Sequence, residues 1–190
     1  MKLEVRGSFF LLIVLMLLPG IGDVLPWTAA AAVCHEMGHF AALRLVGAAP
    51  KRLTLSALGA ELWADTRYLS YGREIICSLA GPAVNILMAV LAGRVLGNFV
   101  WAGANTVLAL FNLMPVLGLD GGRALYLAIS WAFGPDTADR ICVPVSFAVA
   151  LILAGCGVYL LFCGGGAFLF LGAAGLLLGQ LPLVKRGERR

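Results

Sequence analysis

The 190-residue chain is short of charge, with only 13% Asp, Glu, Lys and Arg, and it has two histidines. A soluble domain carries about a quarter charged residues. With 61% apolar residues, a soluble fold of this size could not keep its apolar surface from water. No C-x-x-C pair occurs among Cys34, Cys77, Cys142, Cys156 and Cys163, so zinc ribbons and thioredoxin-like chemistry are unsupported. Cys34 adjoins a histidine and is a minor candidate for tuning it; the others read as soft packing residues. No linker or composition break divides the chain, so one domain over residues 1–190 is expected. No folded basic face is visible either. The net charge of +4 therefore does not point to nucleic acid.

What is present is long apolar runs, and the expected solvent is a lipid bilayer. A spanning helix needs about 20 mostly apolar residues. Six such spans are expected. The first is a short, uncleaved one from about Ser8 to Leu18, reaching towards Val24. Three core helices follow at about residues 25–46, 75–96 and 99–132, then spans at about Val143–Phe162 and Gly166–Leu183. The third core helix is broken by Asn112, Pro115, Gly118, Asp120 and Gly121-Gly122. Such backbone survives at membrane depth only when protein or a wet cavity satisfies it. Between the first two core helices, the segment Arg52–Ser56 alternates polar with apolar, and Gly59 separates it from Glu61–Asp65. That pattern predicts a short membrane-associated β-hairpin. The fold class is thus an all-α polytopic membrane protein with one hairpin.

Six spans put both termini on one face. Of the 14 basic residues all but Arg94 lie on or towards that face, with a loop expected near Asp136–Arg140. Basic loops mark the cytoplasmic side. A multi-pass protein of a bacterial cell membrane with cytoplasmic termini is the expectation.

The chemistry centres on Cys34-His35-Glu36-Met37-Gly38-His39. Residues four apart share a helix face, so His35 and His39 can grip one metal ion, and neutral imidazoles suit zinc. Glu36 lies one residue along, placed to take a proton from an attacking water. A histidine pair can arise in any packed helix. Here, though, both histidines of the protein sit in an apolar run, where unpartnered polar groups are costly. A catalytic zinc takes a third protein ligand. Asp120 is the strongest candidate, because the surrounding glycine and proline let backbone bend and approach closely; a helix cap is its ordinary alternative. Glu74 and Asp23 are weaker.

Three motifs together resemble the site-2 protease family of intramembrane zinc metalloproteases. They are His35-Glu36-Met37-Gly38-His39, Gly81-Pro82-Ala83-Val84-Asn85, and Asn112-Leu113-Met114-Pro115 running on to Leu119-Asp120-Gly121-Gly122-Arg123. The resemblance implies one Zn2+ per chain held by His35, His39 and Asp120, with Glu36 as general base and acid. It implies substrate positioning by Asn85 and Asn112, although an interhelical hydrogen bond serves equally for Asn85. The hairpin around Leu53–Ala64 is similar to strands that pair with an unwound substrate. The implied substrates are membrane-anchored proteins, with a membrane regulatory protein as a further partner. The short basic tail looks most like the sporulation-type branch, which releases a membrane-tethered transcription-factor precursor. In relatives a proline often stands where this chain has Gly118, which predicts a more mobile approach to Asp120. The rival readings are a membrane metal-ion transporter and a non-catalytic membrane chaperone. Internal repeats, frequent in transporters, are not visible.

Overall fold

A computed structural model describes residues 2–5, 24–48, 50–56, 59–64 and 68–162. The expected first and sixth spans lie outside the described residues. Helices dominate: α1 (Leu25–Leu45), α2 (Tyr71–Arg94), α3 (Phe99–Asn112), α4 (Asp120–Phe133) and α5 (Pro135–Phe162). Strands β1 (Lys2–Val5), β2 (Pro50–Ser56) and β3 (Gly59–Ala64) form a sheet in the order β1-β2-β3. β2 runs parallel to β1 and antiparallel to β3, with a register shift between Pro50 and Arg52. The chain divides into two compact units, Met1–Asn112 and Leu113–Arg190. The division falls where the run from Phe99 to Phe133 breaks.

In the first unit, α1, α2 and α3 pack with their usual polarity reversed. The buried stripe of α1 is Ala31, His35, Gly38 and Ala42, residues that recur at helical spacing. Val33, Met37, Phe40 and Leu45 face outward. On α2 the buried residues are Cys77, Ser78, Gly81, Pro82, Asn85 and Ala92, while Ile76, Ile86, Leu87 and Val90 are exposed. Small and polar residues inside, bulky apolar ones outside, is the arrangement lipid favours, because hydrocarbon accepts the large side chains and small residues let backbones approach. Gly38 brings the two backbones close. A Cβ there would meet the Ala80 carbonyl oxygen at 2.7 Å and Val84 Cγ2 at 2.9 Å. Among the described residues, Tyr71–Arg94 and Pro135–Tyr159 are long and apolar enough to cross a membrane.

In the second unit, α4 and α5 are joined by Gly134 at φ 86°. Asp136–Arg140, expected as a loop, is instead the opening of α5. Its charges misled the reading, since Pro135 at the first helical position and Asp136 in the first turn are themselves helix-start features. A second difference concerns the middle core helix, which begins at Tyr71, four residues earlier than its apolar run suggests. Glu74 in its first turn favours the positive end of the helix dipole.

Candidate metal centre

His35 and His39 stand one turn apart on α1 and face α2. Each imidazole is held through Nδ1. His35 Nδ1 donates to Asn85 Oδ1 at 2.6 Å, and His39 Nδ1 donates to the Cys77 carbonyl at 2.8 Å. The proton positions follow from the acceptors. The Cys77 carbonyl can only accept, so His39 carries its hydrogen on Nδ1. Asn85 uses its amide nitrogen on the Ala31 carbonyl at 3.0 Å and on Asn105 Oδ1 at 2.8 Å, which leaves its oxygen for His35. Each ring therefore turns its Nε2 towards the other, and the two Nε2 atoms lie 3.1 Å apart.

Two ring nitrogens at that separation share a cation, either a proton or a metal ion. Two nitrogens bound to zinc at 2.0–2.1 Å in tetrahedral geometry would be about 3.3 Å apart, so the pair is already set for an ion. The Nδ1 bonds are the supports that metal-binding histidines ordinarily have, fixing tautomer and ring orientation. The space is made by Gly81. A Cβ at that position would collide with His39 Nε2 and come within 2.8 Å of His35 Cε1. Pro82 follows it and removes one rung of the α2 ladder, within two turns of the carbonyl that holds His39.

His35 is buried, and Glu36, next along α1, is half-buried, as is His39. Asn85 is wholly buried, and its three contacts given above all go to protein groups. Asn112 ends α3, and its amide donates to the Leu108 carbonyl of its own helix at 3.1 Å. Asn105, which the motifs did not single out, is wholly buried beside Asn85. The signal that could have found it is an amide alone in the middle of an apolar helix.

Asp120 is the first residue of α4, and the cap position is taken by Leu119 in extended conformation. Asp120 is therefore no N-cap. A carboxylate in the first turn gains from the helix dipole. The segment before it folds back on the helix start: Cβ atoms at Gly121 and Gly122 would strike the Leu113 and Val116 carbonyls. Gly118 has φ 100°, which proline, fixed near −65°, cannot adopt. Proline would not fit this turn as it stands. Ser146 on α5 clasps it, accepting from the Leu117 N–H at 2.8 Å and donating to the Cys142 carbonyl at 2.7 Å. Ser146→Ala is expected to destabilise the protein by about 1–3 kcal/mol, since a buried N–H loses its acceptor. Thermal unfolding in detergent measures this, and an unchanged midpoint would refute the clasp.

In the first unit His35 and His39 supply two imidazole donors, and in the second Asp120 supplies a carboxylate at a helix start; two imidazoles with one carboxylate is a catalytic zinc composition. The fold is similar to that of the site-2 protease from Methanocaldococcus jannaschii, with a TM-score of 0.74 at 18% identity, covering 95% of this chain and 89% of that one. The zinc metalloprotease MJ0392 of the same organism is 25% identical over 134 residues, 65% of this chain and 39% of that protein. Rip2 of Mycobacterium tuberculosis, provisionally named a zinc metalloprotease, is 33% identical over 109 residues, 50% of this chain and 40% of Rip2. No family model matches the chain. The chain is thus similar in sequence to parts of named zinc metalloproteases and shares the fold of a site-2 protease. It spans well under half the length of these two curated relatives.

Proposed function

We propose that the protein is a zinc-dependent intramembrane endopeptidase that hydrolyses peptide bonds of membrane-anchored proteins. The observation that carries this reading is the pair of Nε2 atoms held 3.1 Å apart, with a carboxylate on the adjacent residue, Glu36. His35, His39 and Asp120 would hold one zinc ion. When bound, zinc supplies Lewis-acid polarisation of the scissile carbonyl and acidifies water at the site. Glu36 takes the proton from the attacking water and returns it to the leaving amine as the peptide bond breaks. Asn85 and the Cys77 carbonyl hold the imidazoles so that neither ring can turn its N–H towards the ion.

A helical substrate shields its carbonyls by hydrogen bonding, so it must unwind before attack. Among the described strands β3 pairs with β2 alone, which makes it an edge to which an extended segment can be added. Asn112 is placed on this reading to touch substrate backbone. Six spans, cytoplasmic termini, a membrane regulatory partner and a sporulation-type role in freeing a tethered transcription factor complete the proposal. The relatives' names and the fold favour this over a metal-ion transporter.

The test is metal content alongside cleavage. Purified protein is expected to hold about one zinc per chain, as a three-ligand catalytic site does. His35→Ala is expected to lose the zinc together with cleavage of a co-expressed membrane-anchored substrate. Zinc retained in His35→Ala would overturn the ligand assignment, and wild-type protein that never binds zinc would overturn the whole reading.

A further inference from the structure

The hydrogen-bond chain behind His35 does not stop at Asn85. Asn105 on α3 accepts from Asn85 Nδ2 at 2.8 Å and donates its own amide to the Trp101 carbonyl at 2.9 Å. Both asparagines are 0% exposed, and no solvent competes for such groups in a lipid-embedded interior. Each amide also donates to a backbone carbonyl, Ala31 for Asn85 and Trp101 for Asn105. A carbonyl can only accept, so each of these bonds favours one of the two flip states of its amide without fixing it alone.

That preference has a consequence at the metal centre. If the Asn85 amide turned over, its nitrogen would face His35 Nδ1, which would then have to be the bare atom. The ring hydrogen would move to Nε2 and occupy the position needed by a metal. Asn105 opposes that flip, because a turned Asn85 would set oxygen against the Asn105 oxygen. We infer that Asn105 is a positioning residue for zinc, acting through Asn85 to hold His35 in the tautomer that binds metal. This rests on the reading of His35 as a ligand. It assigns to α3, which supplies none of the three zinc ligands, a share in metal affinity.

The experiment compares wild-type protein, Asn105→Leu, Asn105→Asp and Asn105→Ala, each as the full chain in detergent micelles. A neighbouring control is Thr106→Val, whose exposed hydroxyl bonds only its own helix at the Ala102 carbonyl. Zinc affinity is read by competition with a chromophoric chelator. Removing an outer support of a ligating histidine lowers metal affinity by about 10- to 100-fold, and that loss is expected for Asn105→Leu and Asn105→Ala. Asn105→Asp keeps an oxygen facing Asn85 and is expected to stay near wild type, as is Thr106→Val. A packing role predicts the opposite order, since a buried leucine of similar size is easier to accommodate than a carboxyl group. Leucine binding zinc as well as or better than aspartate would overturn the proposal.

A second readout is independent of metal. The ring 15N shifts of His35 in zinc-free protein should report hydrogen on Nδ1 in the wild type and a mixture in Asn105→Leu. Identical shifts in the two would also overturn it. Wild-type protein that binds no zinc yet shows the tautomer change would sink the metal reading alone and leave the role of Asn105 standing.

Discussion

Replacing Gly81 with alanine is expected to abolish zinc binding while leaving α2 intact. In a helix interior, alanine is favoured over glycine by up to about 1 kcal/mol, so the helix itself gains. The damage is local. The new methyl group would occupy the space of His39 Nε2 and press on His35 Cε1 at 2.8 Å. Both rings would have to turn, which breaks the Nδ1 bonds to Asn85 and to the Cys77 carbonyl. Zinc affinity should fall by at least the ~10- to 100-fold seen when outer supports are lost. Metal content and helical circular dichroism, measured on one sample, separate this from unfolding. Full zinc occupancy in Gly81→Ala would show that the two imidazoles do not share an ion.

The second large effect is chemical. Glu36→Gln keeps the size of the side chain and removes its basicity. Positioned proton transfer contributes roughly 100- to 10,000-fold to rate, and cleavage of a membrane-anchored substrate is expected to fall by that factor. Zinc content should stay at the wild-type level, because Glu36 is not among the proposed ligands. The combination is diagnostic. Loss of activity together with metal would make Glu36 a ligand, and undiminished cleavage would remove it from the reaction.

The histidine pair was legible because ionisable groups in an apolar run need a reason to be there. The breaks in the third core helix were legible from glycine and proline, although only coordinates show that Gly121 and Gly122 are needed for close contact with the Leu113 and Val116 carbonyls. Three features were not legible. The Cys77 carbonyl that orients His39 is a backbone group, and sequence carries no mark of which carbonyl is used. Asn105 escaped because its importance lies in what it touches, 20 positions earlier at Asn85. The start of α5 was misread because charge near Asp136 suggests a loop while Pro135 begins a helix. Gly118 shows the same limit: its identity is visible, and its φ of 100° is not.

On the proposed reading as an intramembrane enzyme, α3 is a span shorter than the bilayer around it. With 14 residues, Phe99–Asn112, and a rise of 1.5 Å per residue, it extends about 21 Å, against roughly 30 Å of hydrocarbon. On that reading acyl chains beside it would compress, or headgroups and water would sink to meet its ends. The proposed hydrolysis consumes water, and a membrane pinched at this helix would shorten the distance that water travels.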